Sequence, residues 1–439
     1  MTRSIRATNH AVFVLVLIGF AMTIRPHASA RYTSVKPKVI SQPDMVLEWN
    51  ANAADAIVGV AGLRPERGLI RLAMVHIAMY DAVNAINGYP FQSYGIHPTV
   101  ISPASADAAT AAAAHDMLIA LFPAQQAVLD AKYTASLGSI TDDPTAKTNG
   151  IAVGQQTAAG ILALRANDGR DATVTYSPGS GPGVWQPTPP AFLAAAAPEA
   201  AHVQPFALNS PSQFRAEPPP ALTSETWARD YNEVKSLGVA TGGTRTPEQT
   251  DIGRFWSDQP ILQWNRAWRN IAITHGLSLE ENARFFAMLA TASADAIIAC
   301  WDSKYTYNFW RPVTAIRGGD TDGNAATEPD VNWIAQVVTP NHPEYPAAHG
   351  CFSGSSTQTL KFFFGTDKFS FTIDSNVAGL TKPVRSYNSF SQALEEVRDA
   401  RVYGGMHYRN SAHKGAILGE QVSRFVTAHF FRPATGHQF

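Results

Sequence analysis

The sequence predicts an all-α protein, and three observations carry that expectation. Apolar residues recur at helical spacing over most of the chain, the runs are rich in Ala, and Pro, Gly or Asp clusters punctuate them at short intervals. Leu69–Asn87 is the clearest early case, with Leu72, Val75, Met79 and Val83 on one face and a stop at Gly88. Ala108–Phe122, Ala124–Leu137 and Ile151–Ala166 follow, separated by Pro123 and by Asp142-Asp143-Pro144, which suggests an antiparallel helical array. His76, His115 and Asp116 lie on these Ala/Leu faces and read as structural residues.

The pattern changes between Asp168 and Leu222, where Pro and Gly are dense and no helical period survives. A long ordered loop is expected there, because Trp185 in its middle needs a surface to pack on. Helical signals resume at Ser224–Leu237, Thr246–Trp256 and Leu262–His275. Ser278-Leu279-Glu280-Glu281 is a capping box that opens a run through Phe285, Leu289, Ala292, Ala296 and Cys300 to Trp301 and Lys304. Three further helices are expected over Ser353–Phe364, Ser391–Tyr403 and Ala412–Phe430. The organisation expected is therefore residues 1–30 as a signal peptide, 31–167 as an N-terminal helical region, 168–222 as the loop, and 223–439 as a C-terminal helical region.

The signal peptide rests on Arg3 and Arg6 ahead of an apolar run from Ala11 to Ile24, followed by Ala28-Ser29-Ala30 as a cleavage site. That run falls short of the roughly 18–20 residues a membrane span needs. No other segment reads as a span, so export to a secreted or periplasmic location with no stable membrane anchor is expected. With 34 Lys+Arg against 35 Asp+Glu the net charge is −1, which provides no global field for nucleic acid. Any anion binding must be local. Cys300 and Cys351 flank the motifs discussed next and would meet if those motifs converge, as a disulfide or as two buried thiols.

Three stretches carry the chemistry: Lys304–Pro312, Pro346–His349 and Arg401–His407. Lys304 and Arg311 are seven apart and would share one face of a helical segment. Gly404-Gly405 permits a turn that re-aims His407 after Arg401. His349 stands at the mouth of the following helix, where free N–H groups favour an anion. Three cations and two imidazoles thus form a cradle for a tetrahedral oxyanion.

In this order and spacing the stretches resemble the K-x6-R-P, P-S-G-H and S-R-x5-H-x3-D signature of the acid phosphatase and vanadium-dependent haloperoxidase superfamily. The likeness extends over essentially the whole mature chain, through L-E-W-N near residue 47, Pro182–Pro187 and F-W-R-P-V-T-A-I-R, and is to the secreted branch of vanadium-dependent haloperoxidase-related proteins. It implies two four-helix bundles with the site in the C-terminal one. It further implies that Lys304, Arg311 and Arg401 bind the oxygens of vanadate, with phosphate as a competing occupant, together with the positions of Ala347 and Ala348. By the same resemblance His407 bonds vanadium or attacks phosphorus, His349 is the acid–base, and Trp301 and His342 form a halide pocket that favours bromide. The implied partners are hydrogen peroxide, halide and an organic acceptor, or a phosphate ester; the oligomeric state stays open, a homodimer included. The alternatives are a metal-free acid phosphatase with His407 as nucleophile and a catalytically impaired binding protein of the same fold.

The chain departs from the signature at three places. Ala347-Ala348 stands where Ser-Gly is usual, so one hydroxyl contact to the oxyanion is missing. Ser411 stands where many members have Asp, which deprives His407 of a carboxylate to fix its tautomer. Glu395, Glu396 and Asp399 are near in sequence as substitutes.

Overall fold

The computed structural model describes residues 44–434, so the signal peptide expected over residues 1–30 lies outside the described residues. The first helix, α1 (Met45–Ala54), is opened by Asp44, whose carboxylate accepts the Leu47 N–H at 3.0 Å. Four helices follow in the N-terminal region: α2 (Pro65–Ile86), α3 (Ala106–Leu121), α4 (Gln126–Ser139) and α5 (Pro144–Leu164). Next come α6 (Glu225–Leu237), α7 (Pro247–Phe255), α8 (Pro260–His275), α9 (Leu279–Tyr307) and a short α10 (Pro312–Arg317). The chain closes with α11 (Ala348–Phe364), α12 (Phe390–Tyr403) and α13 (Arg409–His429). The protein is thus mostly helical. Among the described residues one antiparallel pair, β1 (Lys368–Asp374) and β2 (Val384–Ser389), interrupts the helices between α11 and α12. Neither α1, α10 nor the hairpin is expected from the sequence reading; each is short, and periodicity needs length to declare itself.

Helix α9 organises the fold. Its capping box forms as expected, with Ser278 Oγ accepting the Glu281 N–H at 3.2 Å and Glu281 Oε2 accepting the Ser278 N–H at 2.8 Å. Phe285, Phe286, Met288, Leu289, Ile297 and Ile298 are all buried, each contributing about 1.5–3 kcal/mol. One side of α9 packs on α2 and the other on α11 and α13, so one apolar core runs through both helix groups. Both α2 and α9 have the length and apolarity of membrane spans, which corrects the expectation that no segment does. They are core helices here, with 89% and 94% of the apolar windows buried in protein.

Small residues set the spacing between helices. On α11 and α13, Gly350 and Gly354 meet the backbone of residues 412–416, while Gly415 and Gly419 meet the backbone at Ala347 and Cys351. A β-carbon at Gly350 would lie 2.8 Å from the Ala412 carbonyl oxygen, closer than any real contact. The two helices therefore touch backbone to backbone.

The Pro/Gly-rich stretch is ordered, and Trp185 is fully buried within the structure. Asp295 of α9 accepts the N–H groups of Phe206, Ala207 and Leu208 at 2.6, 2.7 and 3.0 Å. Earlier in the same stretch, the Trp185 backbone N–H donates to the Asn308 carbonyl at 2.7 Å and the Trp310 backbone N–H to the Gly183 carbonyl at 3.0 Å. The loop is thereby paired to the segment that separates Lys304 from Arg311.

Candidate active site

Helix α9 ends where the chemistry begins. Lys304 sits in its last turn, and Asn308 ends it in a left-handed conformation, its N–H donating to the Lys304 carbonyl at 2.8 Å. The chain then runs extended through Phe309 and Trp310, and Arg311 precedes Pro312 as the residue opening α10. The expectation that Lys304 and Arg311 share one helix face is wrong, because the helix ends at Tyr307, between them. They converge because the chain doubles back.

Both cations are buried and partnered by the loop before α11. Lys304 Nζ donates to the Pro343 and Glu344 carbonyls, each at 2.9 Å. Arg311 donates to the carbonyls of His342 at 3.0 Å and Met406 at 2.9 Å. Arg401 comes from the last turn of α12 and donates to the Trp256 carbonyl at 3.2 Å, while its Nε, buried, has no partner. Burial lowers all three cations from their ordinary values, Lys304 to about 8.

His407 is aimed by the turn that follows. Gly405 adopts φ +77°, and the N–H groups of Met406 and His407 both return to the Arg401 carbonyl at 3.3 Å. Arg311 Nη1 lies 3.1 Å from His407 Nε2, so the guanidinium donates and Nε2 carries the lone pair. The proton therefore resides on Nδ1, and it is donated to Glu344 Oε1 at 2.8 Å. Glu344 also accepts the Tyr408 N–H at 3.1 Å.

The sequence reading missed Glu344. The carboxylate absent at Ser411 is supplied from the loop ahead of His349, not by Glu395, Glu396 or Asp399. Glu396 pairs with Tyr387 and Trp256, Asp399 with Arg409 and Glu395 with Arg398. Burial raises Glu344 to about 7, against the opposing pull of Arg311, Lys304 and the Ser411 hydroxyl. His407 is held well below its ordinary range by burial and then by the three cations, which keeps its ring neutral.

His349 is the second residue of α11, which begins at Ala348, five residues earlier than the sequence suggests. Burial, Arg401, Lys304 and Arg311 lower its pKa well below the usual value, and its Nε2 has no hydrogen-bond partner. Ala347 caps this helix, buried, with its N–H donated to the Ser411 carbonyl at 3.1 Å. That N–H is therefore engaged and not free for an oxyanion.

A cavity of about 440 Å³ opens onto this constellation, lined by Trp301, His342, Ala348, His349, Arg401 and His407 among others. Ala348 forms wall and does not fill it. Lys304 and Arg311 do not line it; Arg311 touches the lining residues His342 and His407 from behind. The rings of Trp301 and His342 meet at 5.0 Å, and His342 Nδ1 lies 3.1 Å from Arg311 Nη2, so the two residues assigned to a halide pocket do line one surface. Cys300 and Cys351 are free, buried thiols, and Cys300 Sγ donates to the Pro346 carbonyl at 3.7 Å.

A mostly helical core holds two neutral imidazoles among three buried cations, and known proteins place the fold more closely. Residues 284–436, which contain every site residue named above except Trp256, match the family model of the VCPO second helical-bundle domain. The chain belongs in fold with the vanadium haloperoxidases. It is 27% identical over 188 residues to vanadium chloroperoxidase of Curvularia inaequalis, a match covering 36% of this chain and 31% of that protein, so it spans about a third of that relative's length. A solved bacterial vanadium-dependent iodoperoxidase superposes with a TM-score of 0.77 at 27% identity, covering 91% of this chain and 99% of the other. An apo-type bacterial vanadium-dependent chloroperoxidase superposes with a TM-score of 0.67 over 84% of this chain and 95% of the other; at 18% identity it speaks to the fold alone.

Proposed function

We propose that the chain is an exported vanadate-dependent haloperoxidase that oxidises halide, bromide by preference, with hydrogen peroxide. The observation that carries the reading is the state of His407: a neutral ring with Nδ1–H on Glu344 and the Nε2 lone pair turned toward buried cations. The residues present fit vanadate. Arg401 Nε and His349 Nε2 are buried polar atoms without partners, and three cations face a single buried carboxylate. When bound, vanadate supplies Lewis acidity toward peroxide without changing its oxidation state.

The chain's own residues do the rest. His407 Nε2, which accepts from Arg311 here, would be the nitrogen that holds vanadate, and Glu344 keeps the ring in the tautomer whose lone pair is on that nitrogen. Arg401 neutralises the anion directly, while Lys304 and Arg311 do so from behind the cavity wall. His349 Nε2 takes a proton from peroxide and returns it to the leaving oxygen, at a helix N-terminus that favours the neutral ring. The balance is hydrogen peroxide, halide and a proton giving hypohalous acid and water. Contact between Trp301 and His342 supports their place beside the halide, and the Arg3–Ala30 pattern supports export.

The test is peroxide-dependent bromination of a phenol dye by vanadate-reconstituted protein, with hydrolysis of an aryl phosphate measured in its absence. Bromination that requires vanadate is expected. Phosphate hydrolysis alone, lost on His407→Ala, would replace this reading by that of an acid phosphatase.

A further inference from the structure

A second void, which shares no lining residue with the cavity, lies against Glu344. At about 10 Å³ it has room for one water molecule and for no organic ligand. Glu344 lines it together with Tyr408, which precedes α13, and with Asn410 and Ser411 from the first turn of that helix. Each of the four carries a buried polar atom without a hydrogen-bond partner: Glu344 Oε2, Tyr408 Oη, Asn410 Oδ1 and Ser411 Oγ. Glu344, Tyr408 and Ser411 are 0%, 3% and 1% exposed, so bulk water does not reach them.

Buried polar atoms are nearly always paired, with protein or with ordered water, and four orphans around one void call for a common partner. Ser411 is close enough to Glu344 to draw its pKa down, yet neither Ser411 Oγ nor Glu344 Oε2 completes a hydrogen bond. The four groups are complementary to a single molecule. The carboxylate and amide oxygens accept, the two hydroxyls donate, and a water offers two protons and two lone pairs.

We infer that one water is bound here as a fixed part of the structure, donating to Glu344 Oε2 and Asn410 Oδ1 and accepting from Ser411 and Tyr408. Ser411 and Tyr408 are then positioning residues. Glu344 Oε1 receives His407 Nδ1–H at 2.8 Å and the Tyr408 N–H at 3.1 Å, and the water fixes the other oxygen, so that the carboxyl stays turned toward the imidazole. The bearing of this on catalysis rests on the haloperoxidase reading; the water site itself does not.

A crystal structure of the vanadate-free protein at atomic resolution tests the site. One peak about 2.7–3.2 Å from all four atoms is expected. No peak, or contacts shortened to about 2.4 Å as a hard cation makes them, would overturn the water. Nitrogen-15 chemical shifts of the His407 ring, also without vanadate, test the positioning. They should report a single tautomer protonated on Nδ1 in the native protein, and Ser411→Ala and Tyr408→Phe should each move the ring to a mixture of tautomers. Native shifts in either variant would overturn the positioning. Neither measurement uses vanadate or halide, so a native protein that fails to brominate would remove the proposed function and leave these results standing. Native bromination with unmoved ring shifts in the variants would do the reverse.

Discussion

Asp295 and Asp81 are buried carboxylates that each receive three backbone N–H groups, Asp295 those of residues 206–208 and Asp81 those of residues 94–96. Lys304, Arg311 and Arg401 are as deeply buried, but the oxygens they donate to are all neutral backbone carbonyls, and the carboxylate near them, Glu344, is bonded to His407. In the first region fixed dipoles meet the charge, and the result is structural: each aspartate staples a loop to a helix. In the second region buried positive charge exceeds negative beside a cavity, and on the proposed function that surplus is what an anion would meet. Burial alone does not distinguish a functional charge from a structural one; the state of its partners does.

The comparison breaks most sharply at His407. Replacement by Ala should lower vanadate-dependent bromination on the order of a thousandfold, with the melting temperature little changed, as dye bromination and circular dichroism would record. Asp295→Ala should do the opposite, lowering stability by about 3 kcal/mol in urea unfolding while the folded fraction keeps its anion affinity. If both substitutions cost stability and neither cost affinity, the division between the regions would be false.

Smaller effects sharpen it. Glu344→Gln keeps an acceptor for His407 Nδ1–H but removes the charge, and should weaken vanadate binding about tenfold to a hundredfold by equilibrium titration. Lys304 gives a pH dependence of defined sign. Its pKa in the free protein is lowered to about 8, and a bound anion favours the protonated form. Affinity for sulfate, whose own charge is constant in this range, should fall first near pH 7 as Glu344 ionises and then more steeply above pH 8, by up to about tenfold per unit, as Lys304 loses its proton. Flat affinity from pH 7 to 10 would take Lys304 out of the cradle. The smallest effect is expected from Ala348→Gly, which removes one methyl from the cavity wall and should change anion affinity by about threefold or less.

Lys304, Arg311, His349, Arg401 and His407 are legible in the sequence because their spacing is linear and each lies beside a helix end with its own signal: a capping box upstream, a Pro, a Gly-Gly pair. Glu344 is not. It sits in a loop without periodicity, its partner is 63 residues away, and only the fold shows that the two meet. The signal was present, as an acidic residue between His342 and His349 in a chain where Ser411 leaves His407 without an acid. The helices read well for the same reason that the hairpin did not: Phe369, Phe371 and Ile373 alternate over too few residues to be separated from a helical run. The break in α9 at Asn308 was the costlier miss, because a spacing of seven suggested one helical face where the chain in fact turns.

The glycine seam between α11 and α13 has a consequence for heat. His349 starts one of these helices and His407 lies two residues ahead of the other, and between their backbones no side chain intervenes to soften or slide. Such a joint has no loosened intermediate setting, since any slippage drives carbonyl oxygens into Cα positions. The distance between the two imidazoles should hold through warming until the helices part altogether, so that catalytic loss and cooperative melting fall at one temperature.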